Sequence, residues 1–264
     1  MPEKVDLNVS PYHDDYDEDK KYHKVLYRPS RPIQARELTQ AQSILQNQIE
    51  RFGDHMFKEG SIVTGGESNC DMDVRYVKVS STNPNSLGTV GVENYRTSFD
   101  TKYLQGKTSG VVAQVVTSYA ESTDDPVTYI VRYYIAGTDS VNSGSFLAGE
   151  DLQEVTIDAN GNAVSAANTQ ELQILSADKT PIGRSSLAEI QEGVIFTRGF
   201  FVKVNKQQIT LEKYSGAPSF RIGLQVSETL VGSAVDATLF DNAQGSSNEN
   251  AAGADRLKVE LTLE

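Results

Sequence analysis

Apolar side chains at Leu38, Ala41, Leu45, Ile49, Phe52 and Met56 follow one another at helical steps of three or four residues, and Ile44 widens the stripe. The spacing predicts a helix from about Ala35 to Phe57 with one buried apolar face. Gly53 falls inside the pattern at a cost of about 1 kcal/mol relative to alanine, so the last turn is expected to form a separate short segment. Gly60 is the stronger stop. A supercoiled seam needs its heptad to persist for three or four repeats, and the pattern from Leu38 to Ile49 spans only eleven residues. A short parallel bundle therefore stays open, and a long coiled coil does not.

Beyond residue 60 the period changes from helical to alternating. VRYVKV at 74–79, SGVVAQVVTSYAE at 109–121, TYIVRYYIAG at 128–137, LQEVTID at 152–158 and TQELQILSA at 169–177 are short, β-branched and separated by turn residues. Asn160-Gly161 is a hairpin signal. GVIFTRGFFVKVNKQQITLEKY at 193–214 reads as further antiparallel strands, the first pair turning at Val204-Asn205-Lys206, followed by SFRIGLQVSETL and a last strand in LKVELTL. STNPNSLG at 81–88 is a loop with Pro84 and Gly88. The fold class is thus mainly β with one N-terminal α-helix, an α+β chain. Its expected organisation is an extended arm over 1–33, the helix over 34–60, an antiparallel β domain over 61–87 and 184–264, and a small inserted barrel or sandwich over 88–183.

The arm is acidic and tyrosine-rich, with Tyr12, Tyr16, Tyr22 and Tyr27, and it ends in RPSRP, whose prolines keep the preceding residues out of helix. Two readings stand side by side: it docks onto another surface, or it packs on its own chain. Across all 264 residues the formal charge is −12, and no basic run exceeds Lys20-Lys21. That balance argues against nucleic acid and anionic membranes as partners. No apolar run approaches the ~18 residues of a membrane span, and the first twenty residues lack the features of a secretion signal. The single cysteine, Cys70, permits no intramolecular disulfide and reads as an inert small hydrophobe.

Familiar chemistry is sparse. His13, His23 and His55 are the only histidines, and none sits in a nucleophile-elbow, metalloprotease, dinucleotide or phosphate-loop context. Asp15, Asp17 and Asp19 alternate as in a calcium loop, but Lys20 and Leu26 stand where such a loop needs glycine and glutamate. An arginine-seeking or solvated acidic segment explains them better, and His13 and His23 beside them make at most a weak metal cluster on a flexible arm. Glu150 with Asp151 is the nearest approach to a hydrolase carboxylate pair, yet neighbours on a strand point to opposite faces. No catalytic residue, cofactor or metal is expected.

The helix is unusual in another way: five of the residues from Gln34 to Gln48 are glutamines. Gln40, Gln42, Gln46, Asn47 and Gln48 both donate and accept hydrogen bonds without the desolvation cost of charge. Either they meet a partner subunit or they form an ordinary polar face; surface helices normally carry more lysine and glutamate, which favours the partner. Arg28, Arg31 and Arg36 form a local positive patch suited to carboxylates of the same or a neighbouring subunit. The expected interface therefore comprises Tyr12, Tyr16, Arg28, Arg31, Arg36, Leu38, Gln42, Leu45, Gln46 and Ile49.

Three stretches carry a resemblance: PYHDDYDEDKKYHKVLYRPSRPIQARELTQAQSILQNQIERFGDHMFKEGSIV, then GVIFTRGFFVKVNKQQITLEKYSGAPSFRIGLQVSETLV, and finally DNAQGSSNENAAGADRLKVELTL. They resemble the N-terminal region of tailed-bacteriophage virion proteins grouped under the label DUF4815, described as tail-fibre or baseplate-associated. The resemblance implies a non-enzymatic structural component of the tail, assembled in the host cytoplasm and joining fibres to the baseplate or tail. It implies either a short member ending as an adaptor or the N-terminal portion of a longer fibre. A homotrimer with helices near the axis, contacting other tail or baseplate proteins and a distal fibre, is the expected assembly. The alternative is a module binding host glycan through the 88–183 unit, with Tyr103, Tyr119, Tyr133 and Tyr134 as stacking surfaces in place of the missing tryptophan.

Overall fold

The computed structural model describes residues 5–84, 91–135, 144–166 and 170–264. Gly88 of the expected loop, and the ends of two expected strands at 136–137 and 169, lie outside them.

Helix α1 spans Ala35–Met56. Pro32 keeps the chain extended just before it, and the Gln34 N–H donates to Glu37 Oε2 at 3.0 Å, closing the first turn. At the other end the Phe57 N–H returns to the Gly53 carbonyl at 2.7 Å. The helix passes through Gly53 unbroken, contrary to the separate last turn expected there. Gly53 is buried against Phe196, and a Cβ at that position would overlap the ring. The glycine is a packing requirement of α1, not its stop.

Strands follow as β1 (Ser61–Gly65), β2 (Ser68–Asp71), β3 (Arg75–Lys78), β4 (Tyr103–Gly106), β5 (Val112–Tyr119), β6 (Thr128–Ile135), β7 (Asp151–Ile157) and β8 (Ala163–Ser165). The series continues with β9 (Glu171–Gln173), β10 (Ile182–Arg184), β11 (Ser186–Ile190), β12 (Gly193–Thr197), β13 (Phe200–Val204), β14 (Gln207–Glu212), β15 (Leu224–Val231) and β16 (Arg256–Leu263). Every pairing between them for which a register is defined is antiparallel. Two compact units result: one made of residues up to 68, 190–207 and 222–264, the other of 69–189 and 208–221.

In the second unit an open sheet runs in the order β10-β3-β6-β5-β4-β7-β8, with β9 also on β7. No barrel closes among the described residues. β3 pairs with β6 from Arg75↔Val131 to Lys78↔Thr128, so the VRYVKV strand belongs to this sheet and not to the outer domain in which the expected boundary at 88 placed it. Its core gathers Val77, Phe99, Leu104, Tyr129, Leu152 and Leu172. The Asn160-Gly161 hairpin joins β7 to β8 as its sequence predicts, with Gly161 at φ +83°. A further three-stranded sheet is ordered β14-β11-β2. Cys70, read as a small hydrophobe, is exposed on β2.

The first unit carries α1, the three-stranded sheet β1-β12-β13 and the ribbon β15-β16, paired along its whole length from Leu224↔Leu263 to Val231↔Arg256. Ile190, Ile195, Val202, Val204 and Leu261 form its core. β12 and β13 turn at Arg198-Gly199, both at positive φ, as a two-residue hairpin with right-handed strand twist demands. The turn expected at Val204-Asn205-Lys206 is instead the exit from β13: β14 pairs with β11. TRGF contains the better hairpin signal, because glycine supplies one positive φ without strain.

Candidate assembly interface

The inward face of α1 is built from Ile44 and Gly53, both buried, and from the half-buried Ser43, Gln46, Asn47 and Glu50. Gln46 Nε2 donates to the Gly199 carbonyl at 2.8 Å, so this amide ties the helix to the β12-β13 turn of its own chain. Burial pushes the neighbouring Glu50 carboxyl above its ordinary value, and Asp54 adds to the rise. Asp14 of the arm is buried and accepts from Ser43 Oγ. A cavity of about 350 Å³ lies between arm, helix and turn, lined among others by Asp6, Tyr16, Asn47 and Phe200.

The opposite face is uncovered. Leu38, Leu45, Ile49, Phe52 and Met56 are all exposed, Leu45 at 65% and Phe52 at 64%. The stripe expected to be the buried face is therefore the outer one, and Ile44, read as its margin, is the side chain that turns inward. Gln42 and Ala35 are exposed with them. With these two included, one row of exposed positions runs 35, 38, 42, 45, 49, 52 and 56, alternating steps of three and four from the first residue of the helix to its last, and Arg36, Gln48, Arg51, Asp54 and His55 are exposed as well. The row is a strict heptad over three repeats. Reading Ala41 in place of Gln42 hid it, because a polar residue sits at one of the repeating positions.

The arm divides into two behaviours. Residues 5–16 pack on their own unit: the Tyr12 hydroxyl donates to the Asp255 carboxylate, which also holds the phenol above its usual value, and the Tyr16 N–H donates to Asp14 Oδ1 at 3.2 Å. Arg36 Nη1 meets Asp15 Oδ2 at 3.3 Å, and Arg51 pairs with Glu18, so the acidic stretch does seek arginines of the same chain. From Tyr22 onward the segment stands out: Tyr22, Leu26, Tyr27 and Ile33 are exposed, as are Arg28 and Arg31. Of the expected interface residues, Leu38, Gln42, Leu45 and Ile49 share one surface. Tyr12, Tyr16 and Gln46 are engaged within the unit, and Arg36 is tied to the arm.

The other candidates disperse. Glu150 accepts from the N–H groups of Thr108, Ser109 and Leu147 and from Ser109 Oγ, which makes its carboxylate a clamp on two loops. The four tyrosines of the glycan reading do not converge: Tyr103 meets Tyr134 at 5.2 Å between ring centroids, Tyr133 packs on Phe146 at 5.4 Å, and Tyr119 lies 4.7 Å from Lys213 Nζ. That lysine and Tyr214 both bond Asp125, with Lys78 Nζ 3.8 Å away. Burial opposes ionisation of Asp125, but these bonds and charges outweigh it and leave its carboxyl below its ordinary value of 3.8. A depressed carboxylate stabilises the fold above that value and ceases to do so as pH falls below it. Asp125→Asn is accordingly expected to flatten the acid limb of stability, read as urea midpoints across pH 2.5–6 against the parent chain.

A family model described as a domain of unknown function, DUF4815, matches residues 10–128. The match takes in the arm from residue 10, α1 and the chain as far as the first residue of β6, and it contains the first of the three stretches that carried the resemblance. No curated protein and no solved structure matches the chain.

Proposed function

We propose that the protein is a structural adaptor of a bacteriophage tail, a homo-oligomer that docks through α1 and the exposed part of its arm and joins fibres to the baseplate or tail. The observation that carries this reading is the uncovered heptad face of α1 beside an inward face that already completes the unit's own packing. Contiguous exposed apolar side chains on a folded chain mark a protein contact, and here every large apolar side chain of that face is exposed. The tail assignment draws on the resemblance of the arm and helix, and the trimer on the common symmetry of fibre-type components. A glycan-binding module has less support, since its tyrosines lie on three separate packings.

Leu45→Asp tests the reading. Leu45 points outward, so the variant should keep its circular dichroism and lose only the stability that association adds. The parent is expected to scatter light as three chains at micromolar concentration and to add to fibreless tail particles; the variant should run as a monomer and fail to add. A parent that is monomeric and does not join tails overturns the proposal.

A further inference from the structure

The heptad face specifies what covers it. We propose that the occupant is α1 of a second copy, lying parallel and in register, with Gln42 as the polar layer that sets the register; this deepens the assembly reading and rests on it.

With Gln42 at position a, the core positions are Ala35, Gln42, Ile49 and Met56 at a and Leu38, Leu45 and Phe52 at d, and all seven are exposed. The flanking e positions are Thr39, Gln46 and Gly53, and the g positions are Ala41, Gln48 and His55. No aspartate, glutamate, lysine or arginine stands among these six. Every such residue of the helix, Arg36, Glu37, Glu50, Arg51 and Asp54, falls at b, c or f, away from the seam. In coiled coils, charges at e and g choose a different partner or orientation. Identical helices laid parallel bring each g position near an e position of the other copy, where like charges would repel. A seam with neutral flanks removes that penalty, and the same neutrality gives a charged partner nothing to select.

Gln42 supplies what the flanks do not. Its amide both donates and accepts, so a copy of itself is a complete partner when the helices are parallel and in register. Shifted by one heptad, it would face Ala35 or Ile49 and lose those bonds in an apolar layer. An antiparallel arrangement packs position a against position d and sets Gln42 against Leu45 or Phe52. The glutamine thus lowers the affinity of the seam while excluding its alternatives, the role a lone polar residue at position a plays elsewhere.

The test uses the full chain carrying Cys70→Ser, which removes the exposed native thiol, with Gln42→Cys, Ile49→Cys or Asp54→Cys added. Under mild oxidation Gln42→Cys is expected to link to itself in most chains, the outward-facing Asp54→Cys control to stay unlinked, and a mixture of Gln42→Cys with Ile49→Cys to give no excess of the mixed product. Absence of the self-linked Gln42→Cys product overturns the inference. That holds whether the chain proves monomeric, linkage occurs only between positions 42 and 49, or another tail protein covers the helix; in the last case the adaptor reading survives. Gln42→Ile should raise the dissociation temperature and yield more than one oligomeric species by native mass spectrometry. A single unchanged species would overturn the role given to Gln42.

Discussion

Arg198→Met is expected to cost the first unit about 3–5 kcal/mol, the range observed when one partner of a buried ion pair is removed. Arg198 sits at the β12-β13 turn with 12% of its side chain exposed, and it pairs with Glu228 of β15, whose side chain is 3% exposed. Glu228 also accepts the Val5 N–H at 3.3 Å. Glu228 therefore links the hairpin, the ribbon and the start of the arm through two contacts. Deleting the guanidinium takes a cationic partner from a carboxylate that is almost wholly buried. The check is urea unfolding of Arg198→Met, of Glu228→Leu and of the double variant. Each single change should lower the midpoint, and the double should recover most of the loss, because an apolar pair of similar volume carries no desolvation penalty. A double variant as weak as the sum of the singles would show that the site matters for its shape and not for its charge.

Gly53→Ala should also destabilise, by about 1–3 kcal/mol, although helix propensity alone favours alanine by about 1 kcal/mol. The two effects oppose each other, and geometry decides which wins. A Cβ at residue 53 would enter the Phe196 ring, which is fully buried and packs on Phe57 at 5.8 Å and Phe201 at 5.1 Å between centroids. Either the ring or the helix axis must shift to admit it. Thermal unfolding followed at two wavelengths provides the measurement: a melting point above that of the parent would mean that α1 tilts freely and that propensity decides.

How much of this was legible in the chain differs from element to element. The limits of α1 and the existence of the long strands followed from period and turn chemistry, since both act over a few residues. The direction of the helix did not. An amphipathic stripe predicts that an apolar face is covered but not by what, and five large apolar side chains proved to face away from the chain's own core. The placement of β3 with β6 escaped for a related reason: strand pairing across fifty residues leaves no local trace. Gly53 misled because a glycine that breaks a helix and one that admits an aromatic ring are the same letter, and only Phe196, far along the sequence, tells them apart. Among the expected interface residues, Gln42 was found for its amide and Gln46 for the same reason, yet one reaches outward and the other to the Gly199 carbonyl. Their rotation about the helix separates them, and an error of one residue in the repeat conceals it.

The two faces of α1 share no residue. Positions 35, 38, 42, 45, 49, 52 and 56 are exposed, while Ile44, Gln46, Glu50 and Gly53 serve the unit's own interior. In the proposed self-association, heritable change at the first set would alter which copies recognise one another without eroding the domain that bears them, so related chains within one cell would diverge into non-mixing assemblies while keeping a common fold.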